Sequence, residues 1–475
     1  MKKLLKVCRW VIGGFAALAL AGLVGGLSGL DCRPYFRTPY YTLATTRLGA
    51  LATNRAIIAG PLEAGFGRAP LTPLLNAAQE DPAKGQFKAV PLAGYGARRG
   101  RPASGTHDEL FAKAVAFKVD GQTGVIVSAD ALIIPREVAE AAAAQLQREL
   151  KLARPALYFA ATHTHSSLGG WGQGAVAEAF AGKFQPGVRT WFARQLAAAA
   201  RAAVADLRPA SFGHGSFAAP GRVRNRLVGA KGKVDDGFSF ALVKQADGDL
   251  ATLGVFAAHA TVLPDRVMAF SGDYPGYWQR AIERATGGLA LFLAGGVGSH
   301  GPVADAPEFA GAQNLGESLA AEVLRRLPET PMTNRIAFGV LGLTVALPEP
   351  HARVTDGLRL RPWLARRLLP VSDHTMLQAF RLGGSIWLST PCDFSGELAL
   401  GIKDFARARG WQAVVTSFNG DYVGYVIPAR YYHLAGYEPR TMSFFGPNVP
   451  DYFDELLRSL ATLAWQEPAQ SALSP

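Results

Sequence analysis

Short apolar runs, each too brief for a buried helix, recur along this chain between stretches of helical spacing. Val125–Ser128, Ala156–Ala161 (ALYFAA, entered through Pro155) and Leu289–Ala294 (LALFLA) read as buried strands. Further β-like segments fall at 238–244, 251–258, 336–346, 376–381, 385–389 and 411–417. Between them, Pro135 opens an alanine-rich helix running to about Leu150, and proline is well placed at a helix start. Trp191, Leu196, Ala200, Ala203 and Leu207 predict a helix over 189–207, and Leu315, Leu319, Val323 and Leu327 predict one over 312–327. Two more are expected from Tyr274 to Ala285 and from Ser395 to Arg409. Short strands interleaved with helices define an α/β chain: layered mixed β-sheets flanked by α-helices.

Composition sets the limits. A chain of 475 residues, 49% hydrophobic and 18% charged, is globular, with one large domain expected over 61–465, a connector over 31–60 and a loose tail over 466–475. The 49 Lys and Arg against 37 Asp and Glu leave a formal charge of +12. The arginines are scattered, with no basic run interleaved with aromatics and no helix-turn-helix or zinc-finger spacing, so no nucleic-acid partner is expected. The three cysteines, Cys8, Cys32 and Cys392, show no CxxC spacing; Cys32 and Cys392 could pair in an oxidising compartment. Lys2, Lys3, Lys6 and Arg9 precede an uncharged stretch from Trp10 to Leu30. Residues 1–30 therefore read as a signal-anchor or a signal peptide, the anchor being favoured because cleavage after Ala21 leaves an apolar new terminus. The body is expected to be exported and held at the extracytoplasmic side of a membrane through this segment.

Five features carry chemistry. His163 and His165 in ATHTHSS follow the run ALYFAA, and residues two apart on an extended chain point the same way. The alternative is a pair of polar histidines in a hydrogen-bonded turn. His259 stands just past an apolar run, where α/β proteins build sites; it also suits a satisfied core histidine. Asp273, before Pro275, reads as a helix cap. Asp393 follows another short apolar run and fits either a cap or a metal ligand. Tyr422, Tyr425 and Tyr437 occupy a loop-like stretch.

In order and spacing these features resemble the neutral ceramidase family. The resemblance opens at LAGYGARRGRPASGTHDELFAKAVAF from residue 92 and continues through SADAL, ATHTHS, VRNR (223–226) and the HAT-to-SGDYPGY segment. It ends on DYVGYV…GYEP…FFGPN, near Asn448, and so covers roughly residues 90–450. It implies a catalytic domain with one Zn2+ held by His163, His259, Asp393 and Tyr425, with His165, Arg226 and Tyr437 as catalytic residues. The implied reaction is hydrolysis of an N-acyl amide, from a small molecule or a ceramide-like lipid, by metal-activated water. Identity of the metal stays open, since His with carboxylate accepts several divalent ions.

The chain departs from the family at two places. The family's glutamate ligand is Asp393 here, one methylene shorter. Its Gly-Asp-Val-Ser-Pro motif reads Gly298-Ser299-His300-Gly301-Pro302, so the family serine falls on Gly301, with Ser299 and His300 as the candidate substitutes. The family's C-terminal β-sandwich has no counterpart in the matched stretch. Two other readings remain: a non-catalytic metal- or ligand-binding protein on the same scaffold, and a hydrolase of another bond such as an ester.

Overall fold

The computed structural model describes residues 25–369 and 371–467, together with Trp10 and Gly22. Most of the expected export segment and the tail from 468 lie outside the described residues.

Twelve strands form one branched mixed sheet: β1 (Ile58–Pro70), β2 (Phe111–Val119), β3 (Gln122–Ala129), β4 (Leu157–Ala161), β5 (Arg208–Ala218), β6 (Gly237–Gln245), β7 (Leu250–Phe256), β8 (Leu289–Ala294), β9 (Arg335–Ala346), β10 (His374–Leu382), β11 (Ser385–Ser389) and β12 (Gln412–Thr416). The order is β8-β7-β6-β5-β1-β9-β10-β11-β12, with β2, β3 and β4 leaving from β1. The long strand β1 makes the branch. Its first residues, Ile58–Pro61, pair with β9, and the remainder from Leu62 pairs with β2. The two limbs bring apolar faces together, so Phe117, Ile126 and Tyr158 share one core with Val243, Leu253, Leu291, Phe338 and Phe380. Burying both faces of a limb explains why ALYFAA and LALFLA carry no polar alternation.

Nine helices flank the strands: α1 (Pro39–Asn54), α2 (Arg136–Leu150), α3 (Ala175–Ala181), α4 (Pro186–Ala205), α5 (Asp273–Thr286), α6 (Glu308–Arg326), α7 (Pro362–Leu368), α8 (Gly396–Arg407) and α9 (Val449–Trp465), counted among the described residues. α4 lies on β1 and β2 and against α2; α5 packs on β8 and α6; α8 covers β12, and α9 reaches β10. The layered mixed α/β architecture predicted from the alternation is the one observed.

Three details go beyond the sequence reading. The stretch read as a connector contains α1, whose start is set by the Thr38 side chain accepting from the Tyr41 amide (3.4 Å) and by Pro39 in the first turn. Leu27–Gly29, the end of the apolar N-terminal stretch, is a strand paired antiparallel with Leu358–Leu360. Among the described residues no helix is long and apolar enough to cross a membrane. Cys32 is exposed and Cys392 buried, and both are free thiols, so no disulfide joins them.

Candidate metal centre

Most of the sheet is antiparallel, but β3 and β4, β7 and β8, and β11 and β12 run parallel. Side chains that follow β4, β7 and β11 meet at one point beyond their carboxyl ends, the usual place for a site in such sheets. Within four residues of these strand ends stand His163, His259 and Asp393. The chain turns there through left-handed backbone at His163 (φ 62°), and does so again at Ser299 (φ 64°) after β8 and Phe418 (φ 64°) after β12. Such conformations in non-glycine residues cluster at functional sites.

Backbone carbonyls fix the tautomer of two imidazoles. His163 Nδ1 donates to the Leu132 carbonyl at 2.7 Å, and His259 Nδ1 donates to that of Val297 at 2.8 Å. A carbonyl only accepts, so both Nδ1 atoms carry the proton and both Nε2 atoms present bare lone pairs. Asp393 Oδ1 lies 3.6 Å from His163 Nε2 and 3.2 Å from His259 Nε2. This oxygen is buried without a hydrogen-bond partner, whereas Oδ2 accepts from the Tyr422 hydroxyl at 2.8 Å. The Tyr425 hydroxyl is 3.2 Å from His259 Nε2. Ligands about 2.0–2.1 Å from a tetrahedral zinc stand roughly 3.3 Å apart, so these separations fit one divalent ion.

His165 belongs to the same cluster. Its Nε2 is 3.3 Å from His163 Nε2, and one ring nitrogen each from His163, His165 and His259 lies within 4.8 Å of the others, a group able to hold a metal. Its Nδ1 is buried without a partner. Position therefore does not separate His165 from the ligand set.

Burial, reinforced by the neighbouring His259, pushes the His163 imidazole down to about 3. Burial likewise holds His165 and His259 well below their ordinary value. It raises the Asp393 carboxyl, against the pull of His163 and Tyr422. The imidazoles are thus neutral at pH 7, the form that binds a metal.

Arg226 follows the short strand Val223–Asn225, which pairs with His300–Pro302, and its amide donates to the Ser299 carbonyl at 2.8 Å. Its Nη2 donates to the Tyr425 hydroxyl (2.9 Å) and approaches His259 Nε2 (3.1 Å). Tyr437 is 60% exposed and stands at the rim, its ring edge-on to Tyr425 at 6.0 Å. Neither substitute for the family serine faces the cluster. His300 Nε2 accepts from the Asp235 amide at 3.0 Å, and Ser299 Oγ donates to Glu438 at 2.6 Å. A β-carbon at Gly301 would lie 3.7 Å from Arg226 Cδ, so the backbone leaves room where the family has its serine and this chain offers no hydroxyl. Asp273, expected as a cap, is the first residue of α5: its carboxylate accepts from the Tyr274 and Leu263 amides at 2.6 and 2.9 Å, away from the cluster.

Sequence reading missed Phe418, stacked on the His163 ring at 4.0 Å, and Glu438, which accepts from Arg226 Nε at 2.8 Å. Only its position beside Tyr437 in the quoted GYEP marked Glu438. A cavity of about 320 Å³ is lined by Trp171, Val176, Phe180, Leu369 and Phe444 together with the charged Arg136, Glu137 and Asp421; it meets the cluster only through Tyr422, whose hydroxyl donates to Asp393.

This is a mixed α/β chain in which imidazoles, a carboxylate and a phenol gather beyond parallel strand ends, the three imidazoles forming a group able to hold a metal. No family model matches the chain. The neutral ceramidase of Pseudomonas aeruginosa is 25% identical to it over 265 residues, which are 51% of this chain and 37% of that protein. The crystal structure of neutral ceramidase from Pseudomonas aeruginosa matches with a TM-score of 0.69 at 19% identity, over 88% of this chain and 76% of that one. A ceramidase complexed with C2 matches equally, at 0.69 and 19%, over 88% and 77%. The chain is neutral ceramidase-like, and its fold is the neutral ceramidase fold.

Proposed function

We propose that this chain is a metal-dependent hydrolase of N-acyl amides, with ceramide-like lipids as the substrate class and zinc as the metal. One observation carries the reading: the Nε2 atoms of His163 and His259 face the partnerless Asp393 Oδ1 at 3.6 and 3.2 Å. Arg226 Nη2 approaches His259 Nε2 at 3.1 Å, yet Asp393 Oδ1 stays a buried acceptor without a partner, which a cation among the three would satisfy. His163, His259, Asp393 and Tyr425 would hold it. A bound divalent ion there supplies Lewis acidity, lowering the pKa of water and polarising a carbonyl.

The remaining work falls to side chains. His165, neutral and beside the cluster, takes the proton from the attacking water and returns it to the leaving amine. Arg226 directs Nη2 toward the centre and steadies the developing oxyanion. Tyr437 at the rim orients the amine portion. The cavity beside Tyr422 receives the acyl chain along its apolar wall of Trp171, Val176, Phe180, Leu369 and Phe444. The proposal places the protein outside the cytoplasm, a reading supported by the basic residues ahead of the uncharged N-terminal stretch.

Gly301 favours a second reading, in which the scaffold binds metal or ligand without turning over. A panel of fluorogenic N-acyl amides and esters, with and without chelator, separates the two. Chelator-sensitive amide turnover supports the hydrolase, stoichiometric metal without turnover supports the binder, and turnover confined to esters moves the reaction to another bond. Metal analysis of His163→Ala and His259→Ala tests the ligand set; full metal content in both sinks it.

A further inference from the structure

Arg226 is a long side chain asked to hold one nitrogen between Tyr425 and His259. Left alone, a guanidinium samples many rotamers, and ordering it costs entropy. Its Nε edge is clamped by Glu438 Oε1 at 2.8 Å, which leaves Nη2 as the atom facing the centre. The second Glu438 oxygen accepts from Ser299 Oγ at 2.6 Å, so the carboxylate is held from the opposite side. Glu438 is 6% exposed and sits in a π-helical turn, Tyr437–Met442, a rare conformation found mostly at functional sites. Ser299 in turn is presented by left-handed backbone just after β8.

We propose that Glu438, braced by Ser299, is the positioning residue that aims the Arg226 guanidinium at the metal centre. This inference rests on the hydrolase reading and deepens it. It also gives Ser299 a use: at the family's aspartate position, a hydroxyl donates to Glu438, which an ionised carboxylate cannot do. The chain Ser299–Glu438–Arg226 ties the loop after β8, the π-helical turn and the Val223–Asn225 strand to one nitrogen.

The test uses the full chain, saturating zinc and N-dodecanoyl aminocoumarin as the probe. Glu438→Gln keeps the shape and removes the charge. It is expected to lower kcat by about tenfold to a hundredfold, the scale of a small misplacement of a reacting group, with KM within about threefold and zinc content unchanged. Glu438→Asp should recover part of the loss. Ser299→Ala should lower kcat by about threefold to tenfold, with Ser299→Thr restoring it. In an Arg226→Ala background Glu438→Gln should cost nothing further, because the group it aims is gone. Additive losses, or loss of zinc together with turnover in Glu438→Gln, would make Glu438 structural and overturn the inference. If Glu438→Gln does not fold, Ser299→Ala decides, and an unchanged kcat overturns it. No turnover in the unmodified chain sinks the hydrolase reading itself; normal turnover in both variants sinks only this inference.

Discussion

His165 is the residue whose role turns on one nitrogen. Its Nε2 is 3.3 Å from His163 Nε2, close enough to share a metal, yet its Nδ1 has no carbonyl to fix the tautomer as Leu132 and Val297 do for the other two. An imidazole free to carry its proton on either nitrogen suits proton transfer. His165→Ala is therefore expected to keep stoichiometric metal and lose turnover by about 10²- to 10⁴-fold; metal loss measured by elemental analysis would move His165 into the ligand set. The same residues set a pH dependence. Burial holds His163 at about 3 and His165 and His259 well below 6.5, and it also lowers His214, His300 and His351. Unfolding lets these rings take up protons near 6.5, so their contribution to the metal-free fold is complete above that pH and lost as pH falls below it. Asp130, Asp273 (raised to about 6), Asp393 and Asp451 act in the opposite sense, since burial lets the fold bind protons that the unfolded chain releases above 3.8. Six imidazoles outnumber four carboxyls. The urea midpoint of chelator-treated protein should fall between pH 7 and pH 5; a rise would overturn the assignment.

At the scale of elements, helix α4 is seated on β1 through two glycines. A β-carbon at Gly65 would meet the Ala203 carbonyl oxygen at 2.2 Å, and one at Gly67 would meet that of Ala199 at 2.3 Å. Those contacts are backbone, which cannot swing aside. Gly67→Ala should push α4 off the sheet and cost about 1–3 kcal/mol or more, read as a lower midpoint in urea unfolding. Helix α3 bounds the cavity: Val176 and Ala177 face it from one side, opposite Leu369 and Phe444. Filling that space with Ala177→Trp should raise KM for long-chain N-acyl amides more than for short-chain ones. Equal changes for both would show that the acyl chain lies elsewhere. Among the elements absent from the sequence reading, α1 and the π-helical turn have weak local signals. α1 buries only Ala44 fully. The turn depends on Glu438 meeting Arg226 and Ser299, residues 212 and 139 positions away.

For the whole molecule, the proposed metal centre joins limbs of the sheet that are far apart in sequence, from His163 after β4 to Tyr425 beyond β12. An ion bound there holds the limbs together and favours the folded state alone. Chelation should lower the thermal midpoint, and added zinc should raise it in proportion to the logarithm of free metal, about 2.7 kcal/mol at a hundredfold excess over Kd. A midpoint indifferent to zinc would leave the centre without an ion. The branch at β1 makes this possible, because one strand pairs with β9 at its start and β2 along the rest, folding the sheet over a shared core.

Local physics was legible in the residues themselves. Short apolar runs marked strands, four-residue spacing marked α6, and histidines and carboxylates just past those runs marked where side chains would gather. Each depends on neighbours a few positions away, within reach of backbone sterics and periodicity. Long-range pairing was not legible: the seating of α1, the strand at Leu27–Gly29, the turning of His300 toward the Asp235 amide and the Glu438 clamp all depend on distant partners. Sequence placed His163, His259 and Asp393 just past apolar runs and Tyr425 in a loop-like stretch; only the folded sheet brought these side chains face to face, because side-chain direction is set by packing across the core and not by spacing along the chain.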